Sequence, residues 1–403
     1  MTQVLLINRY FYPDHSATAQ LVTELAEDLA SRGEHVTVIT SRSAYLGEGS
    51  SIPTREEYKG VDIIRVMTTR FGRGHVLDRL IDYMSFYFSA FWAAVQVGKQ
   101  DCLVVMSDPP LLSVLAAVTR WFTGSHTMCW MQDIYPEIAI RAGVLPSGVT
   151  SWVLHRISVW SLRRMDRTVT LGRCMKRHLL QDGLVGDRVI TIPNWADGSV
   201  IHPVARHKNE FVRTHGLEKS FVVMYSGNFG VVHESEAILT LIRNTQSLLG
   251  LCFCFIGEGT HTRTLREMAA RERWNHVRFF PYQAKESLRF SLSAGHLHLV
   301  SLREDMVGLS VPSKIYGIMA AGRPMLFIGP EESEVAALIR QSQCGFVVRP
   351  GDPQAAAEAV RSCYRDRSLC EQKGLAAREY FDRYGDRFRA TEQFLQVIQK
   401  VAA

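Results

Sequence analysis

Short apolar runs alternate with amphipathic stretches along this chain, stop near residue 200, and then begin again. No other feature constrains the fold as strongly. VLLIN (4–8) reads as a buried strand and is followed by the loop RYFYPDHSAT. The next stretch, AQLVTELAEDLASRG, carries Leu21, Val22, Leu25 and Leu29 at helical spacing, with Gly33 as the stop. HVTVIT, VDIIRV, CLVVM, HTMCWM, RTVTL and VITIP read as further strands. After a polar linker containing Pro193, Asn194 and Gly198, the series restarts with FVVMYSG (221–227), the helix ESEAILTLIRNTQSLL and the strand LCFCFIG. HVRFFPY, HLHLV, PMLFIG and CGFVV continue it. Strands spaced by amphipathic helices predict parallel, doubly wound sheets. A chain of 403 residues suits two such units. The expected fold is therefore α/β with two Rossmann-like domains, 1–200 and 201–385. The last helix, within 386–403, is expected to return to the first domain.

Apolar residues make up 46% and charged residues 21%, a globular composition that excludes a disordered or fibrous chain. The formal charge of +6 is modest, and neither an Arg-rich tail nor zinc-finger spacing is present, so nucleic acid is not an expected partner. The charge is concentrated locally: Arg156, Arg163, Arg164, Arg167, Arg173, Lys176 and Arg177 stand against Asp166 alone. Eight scattered cysteines without a CxxC suit reduced thiols in a cytosolic protein, and Cys252 and Cys254 would share one strand face as packing. MTQVLLINRYFYPDHS enters a strand directly, so no signal peptide is expected. LIDYMSFYFSAFWAAVQV (80–97) contains Asp82 and reads either as an interfacial amphipathic helix or as core. Arg65, Arg70, Arg73 and Arg79 flank it, as an anionic bilayer surface would attract or as a solvated basic face would show.

Ligands of open α/β sheets bind beyond the carboxyl ends of the strands. Four loops fall there: YFYPDHSAT, QDIYPE, YSGNFGVVHES and GLSVPSK. In GLSVPSKIYGIMAAGRPMLFIG (308–329), Pro312 reads as the first residue of a helix over 312–322, with Lys314 in its first turn. A cation there opposes the helix dipole, so an anion is expected at this end, met by backbone N–H groups, the Ser313 hydroxyl and Lys314. The plainer alternative has Lys314 reaching solvent beside a packed helix.

The ordered set YFYP, QDIYPE, IPNW, YSGNFG, FIGEG, VPSKIYGIMAAGRPM and GFVVRPGD resembles the retaining GT-B glycosyltransferases of family 4. It is most similar to the branch that builds bacterial exopolysaccharide and O-antigen, such as colanic-acid-type transferases. The resemblance covers nearly the whole chain. It implies the GT-B fold, with two Rossmann-like domains facing a central cleft. It also implies a nucleotide-diphosphate sugar held by the C-terminal domain, an acceptor held by the N-terminal one, and transfer without a metal or other cofactor. With the two-domain pattern and the Lys314 helix end, the basic and aromatic stretches at 65–97 and 156–177 make the expected acceptor a lipid-linked saccharide, met at the cytoplasmic membrane face.

Under that resemblance the donor contacts are Gly227, Asn228, His233, Gly257, Glu258, Tyr282, Arg303, Val311, Pro312 and Ser313, with Ser16 and Thr18 reaching over from the first loop. Ser16 reads equally as a helix N-cap. Asp14, His15 and Glu137 would meet the acceptor, and Asp133 and Lys314 would be catalytic. Asp133 would orient the attacking hydroxyl or take its proton; a turn-capping role is the alternative. Two departures from the family stand out. Its two donor-site glutamates, separated by seven residues, correspond to Leu309 and Gly317, with Glu304 or Asp305 as a replacement sugar contact; its Arg and Lys pair corresponds to Asn228 and His233. Two competing readings are a degenerate member that binds nucleotide sugar without turning it over, and a sugar-nucleotide epimerase of the same build.

Overall fold

The computed structural model describes residues 1–14, 16–42, 53–72 and 76–403. His15 and Arg73, named above, lie outside the described residues. The chain divides into two compact units, Met1–Pro193 with Ala390–Ala403, and Asn194–Arg389. The division therefore falls at Pro193 rather than at 200. The reason is local: the linker is bonded into the second unit, where Gly198 N–H donates to Asp386 Oδ2 at 3.2 Å and Arg387 pairs with Asp197 at 3.2 Å. The same bonds keep Asp386 and Arg387 in the second unit and delay the return to Ala390.

The first unit holds an eight-stranded sheet: β1 (Gln3–Ile7), β2 (His35–Ser41), β3 (Arg55–Tyr58), β4 (Val61–Val66), β5 (Cys102–Met106), β6 (His126–Trp130), β7 (Arg167–Thr170) and β8 (Val189–Thr191). Their order is β3-β4-β2-β1-β5-β6-β7-β8, parallel except for β3. β3 escapes the sequence pattern because REEY has no apolar face; charged residues on an edge strand discourage further pairing. Cys102–Met106 is buried throughout, as a central parallel strand requires. The helix Arg387–Ala402, from Ala390 onward, completes this unit. Its Phe394 and Ile398 are fully buried, and the Phe394 ring lies 4.6 Å from that of Trp130. Thr391 Oγ1 donates to Asp28 at 2.8 Å, and Gln399 Nε2 to Glu34 at 2.9 Å.

The second unit holds β9 (Phe221–Ser226), β10 (Leu251–Ile256), β11 (Val277–Phe280), β12 (Leu297–Ser301), β13 (Met325–Ile328) and β14 (Gly345–Val348), ordered β11-β10-β9-β12-β13-β14 and all parallel. Cys252 and Cys254 share a face of β10 with sulfurs 3.7 Å apart, and all eight cysteines are buried and free. In each sheet the strand order reverses once beside its first strand, between β1 and β5 and between β9 and β12. Loops after those strands are where an open sheet leaves room for a ligand.

The second unit contains an acid-sensitive point. His298 is fully buried; its Nε2 donates to the Leu292 carbonyl at 2.9 Å, and its Nδ1 is buried with no hydrogen-bond partner. Burial pulls its pKa down to about 4, and burial with the nearby Lys314 charge pulls that of His233 well below the ordinary value. The unfolded chain takes up these protons near pH ~6.5, so stability holds above that point and is lost as the pH falls below it. Thermal melts should show Tm declining as the pH falls from ~6.5 toward ~4, at up to about 1.4 kcal/mol per pH unit for each imidazole. His298→Gln should flatten part of that slope; an unchanged slope would rule His298 out as its source.

Candidate functional site

In the second unit the predicted residues assemble around the C-terminal end of β9. The helix predicted over 312–322 is shorter, Lys314–Ala320, with Ser313 as N-cap, so Pro312 precedes it. Seven residues make a weak dipole, and the Lys314 side chain matters more than the helix end. Its Nζ sits 3.7 Å from the centre of the Tyr225 ring and donates to the Asn228 carbonyl at 3.4 Å. The Tyr225 hydroxyl donates to the same carbonyl at 3.1 Å. Lys314 is half-buried and does not simply reach solvent. Desolvation holds its pKa well below the ordinary lysine value, so an arriving anion would be met by a poorly hydrated ammonium.

Two glycine loops lie beside it. Gly227 N–H donates to Ile256 O at 2.9 Å, and Phe229 N–H to Glu258 O at 2.9 Å, joining the loop after β9 to the loop after β10. Gly257 has φ +109°, and a Cβ there would lie 2.7 Å from the Gly227 carbonyl oxygen and 3.0 Å from Tyr282. Only glycine fits this approach. The Gly227 position itself faces Lys314 Cε at 3.6 Å. Gly227, Asn228, Gly257, Tyr282 and Lys314 are thus brought together.

Other expected donor contacts are engaged differently. His233 is buried, and its Nδ1 donates to the Ser301 carbonyl at 2.7 Å. Glu258 pairs with Arg266 at 2.9 Å. The Arg303 guanidinium pairs with Asp305 at 2.7 Å and donates to Val231 O at 3.1 Å, so both members of that pair are already partnered. Glu304 is exposed; Val311 and Pro312 are buried and Ser313 half-buried. Leu309 is buried, and a Cβ on Gly317 would meet Leu292 and Ile201 at 3.3 and 3.9 Å. Both glutamate positions of the family are apolar packing here.

In the first unit, Ser16 takes the capping role: its Oγ accepts from Ala19 N–H at 3.3 Å, at the start of the helix Ala17–Ser31. Asp14 Oδ1 accepts from Ser16 N–H at 2.9 Å, and Thr18 is half-buried. The backbone N–H groups of Gln132 and Asp133 donate to Ser107 Oγ at 2.9 and 3.1 Å, locking QDIYPE to the end of β5. Asp133, Asp108, Tyr83 and Tyr135 lie close enough to interact electrostatically, and desolvation with the two carboxylates pushes the Tyr135 phenol up. Asp108 at the switch point is the residue the sequence reading passed over; its place after CLVVM in SDPP was the available signal. Glu137 Oε1 is engaged by His155 Nδ1 at 2.5 Å.

Arg9 follows β1 and is buried. Its guanidinium lies 3.6 Å from Asp82 and 5.4 and 5.0 Å from the ring centres of Tyr10 and Tyr83. Asp82 also accepts from Thr69 Oγ1 at 2.7 Å and from the N–H groups of Phe71 and Gly72 at 3.1 and 3.3 Å. Arg65, expected as a surface cation, is instead buried, pairing with Glu56 at 2.6 Å and donating to the Tyr12 carbonyl at 2.8 Å.

The helix Val76–Val97 buries Asp82, Phe86, Ala90 and Ala94 and exposes an apolar outer face; Phe88 is 67% and Trp92 50% exposed. It is both core and amphipathic surface. The helices Leu112–Thr123 and Val149–Leu162 pack beside it in series and add exposed Trp121, Phe122 and Trp152, with the Arg156 and Arg164 guanidinium groups over the rings of Trp152 and Trp160. Among the described residues no helix is long and apolar enough to cross a membrane.

Residues 16–195 match the glycosyl transferase 4-like domain, and residues 220–366 match the glycosyl transferases group 1. The probable glycosyltransferase WbjE of Pseudomonas aeruginosa is 28% identical over 68% of this chain and 69% of its own length. The putative colanic acid biosynthesis glycosyl transferase WcaI of Escherichia coli K12 is 24% identical over 98% of this chain and 100% of its own. Among solved structures, Anabaena HepE in complex with UDP and glucose superposes with a TM-score of 0.74 at 14% identity, covering 99% and 100% of the two chains. WaaG, a glycosyltransferase involved in lipopolysaccharide biosynthesis, gives 0.69 at 16% identity over 98% and 99%. With two doubly wound units matched in order by both models, the chain belongs to this glycosyltransferase family and has the GT-B fold.

Proposed function

We propose that the chain moves a sugar, with retention of configuration, from a nucleotide-diphosphate donor to a lipid-linked saccharide in the building of a bacterial surface polysaccharide. The observation that carries this reading is Lys314. Its ammonium is packed on Tyr225, and glycine at 227 leaves backbone rather than a side chain facing it. A diphosphate is the ligand such a surface suits, because a poorly hydrated cation beside a side-chain-free backbone can meet its charge without demanding a metal. The HepE complexes with UDP and with UDP-glucose support a nucleotide-sugar donor, and the names of WcaI and WaaG support polysaccharide assembly.

In the proposed step the acceptor oxygen bonds to the anomeric carbon as the bond from that carbon to the β-phosphate oxygen breaks. The acceptor proton passes to the leaving phosphate. Lys314 stabilises the charge gathering there, and Asp133, with Asp108 nearby, orients the acceptor hydroxyl. Purified protein, labelled nucleotide sugars and polyprenyl-diphosphate-linked acceptors should give a retained glycosidic product, formed also in the presence of a chelator. A broad donor panel that yields neither transfer nor donor hydrolysis would overturn the reading. It would favour a binding member instead, for which apolar Leu309 and Gly317 are the supporting observation.

The exposed aromatic face of the first unit is the proposed membrane-docking surface, at the inner face of the plasma membrane. Its aromatic rings suit the headgroup boundary and its arginines suit anionic lipid. Co-sedimentation with anionic vesicles should exceed that with zwitterionic ones, and Phe88→Glu with Trp92→Glu should lower it about tenfold or more. Equal binding by wild type and the double variant would remove the surface from the model of docking.

A further inference from the structure

Three helices of the first unit bring Glu137, His155, His178 and Asp182 into one cluster. Glu137 opens the helix Glu137–Arg141, His155 is in the middle of Val149–Leu162, and His178 lies on Arg173–Gln181 with Asp182 as the residue that caps it. We infer that this cluster binds one divalent first-row transition-metal ion of the zinc class, with Glu137, His178 and Asp182 as ligands and His155 as the residue that positions Glu137.

The geometry supports each assignment. One ligand atom from each of Glu137, His178 and Asp182 lies within 4.8 Å of the other two, and His178 Nε2 is 3.7 Å from Asp182 Oδ2. Bonds of about 2.0–2.2 Å to a tetrahedral zinc put neighbouring ligand atoms about 3.3–3.6 Å apart, so the longest edge needs to close by about 1 Å. The side chains are 17–33% exposed, which lets them turn and lets an ion enter. Glu137 Oε1 is held by His155 Nδ1 at 2.5 Å, while Glu137 Oε2 is buried without any hydrogen-bond partner. A carboxylate oxygen in that condition has lost its water and gained nothing in return. A metal ion supplies the missing partner, and the His155 bond fixes the carboxylate as outer-shell groups fix ligands.

The charge balance points the same way. Two carboxylates face one another here, and the nearby Arg163 spends a guanidinium N–H on the Asp182 backbone carbonyl at 2.8 Å. A divalent ion offsets both carboxylates at once. Imidazole nitrogen beside carboxylate oxygen is a donor set for zinc, cobalt or nickel rather than for calcium or magnesium. His178 and Asp182 stand one helical turn apart, so one turn offers both side chains to the same ion. The ion would tie that turn to the segment that follows QDIYP and so brace the acceptor-side loop.

The test is zinc binding by the full chain, read by calorimetry, and cobalt substitution, read by visible absorption. Wild type should bind one equivalent of zinc, show the intense d–d bands of tetrahedral cobalt, and gain a few degrees in Tm. His178→Gln should lose at least tenfold in affinity together with the cobalt bands, and His155→Gln should weaken binding while keeping the bands. Circular dichroism checks that both variants are folded. Zinc binding equal in wild type and His178→Gln overturns the inference. So does wild-type cobalt absorption that stays octahedral and weak.

Discussion

Lys314→Ala is expected to lower kcat/KM for sugar transfer by about 10²–10³-fold, the usual consequence of removing one preorganised group that faces developing charge. The cation occupies a prepared place: ring face on one side, Asn228 carbonyl on another, Gly227 backbone alongside. Arg303 does not stand in for it, because its guanidinium is committed to Asp305 and Val231. Since charge accumulates on the leaving phosphate only as the glycosyl bond breaks, most of the loss should fall on kcat rather than KM. Lys314→Arg should not rescue it, because a planar, delocalised guanidinium does not reproduce the compact point charge of the ammonium. Proton linkage adds a second readout. The ammonium form binds the diphosphate, and its pKa in the free protein is depressed, so donor affinity should fall as pH rises through that depressed value. Lys314→Ala should remove this dependence. A loss of less than about fivefold, with the pH profile unchanged, would take Lys314 out of the reaction.

Asp82→Ala is expected to cost about 3–5 kcal/mol of stability, because it leaves the Arg9 guanidinium buried without its counter-charge. The effect should be compounded by the loss of three further acceptor bonds, from Thr69, Phe71 and Gly72, all to a side chain only 5% exposed. Denaturant melts of the first unit's transition measure it. The double replacement Arg9→Met with Asp82→Leu should recover a large part of the loss, since removing both charges leaves none stranded. A single-variant cost below about 1 kcal/mol would mean that water or the Tyr10 and Tyr83 rings alone satisfy Arg9.

These two residues show what the sequence makes legible and what it hides. Parallel strands such as CLVVM and LCFCFIG announce themselves because both faces are buried, so apolar runs persist without alternation. REEY carries no such signal, for an edge strand is held by its neighbour's backbone and needs no apolar face. Lys314 was conspicuous because a cation opens a helix, yet the shorter helix makes the tyrosine ring and the carbonyl, not the dipole, its partners. Asp82 read only as a polar interruption in an apolar stretch. Its meaning depends on Arg9, some seventy residues earlier in the chain, and pairing at that distance leaves no periodic trace. Arg65 misled for the same reason: a basic residue before an aromatic helix resembles a surface charge until Glu56 is placed against it.

The Ala390–Ala403 segment has a consequence for how the molecule is made. A ribosome finishes this helix only after the whole intervening unit has emerged, yet Trp130 waits for Phe394 to cover it. The half that is translated first is therefore sealed last. A nascent chain must carry an open apolar groove through about half of its synthesis, and a fragment cut at Pro193 would keep that groove unless the terminal helix were supplied in trans.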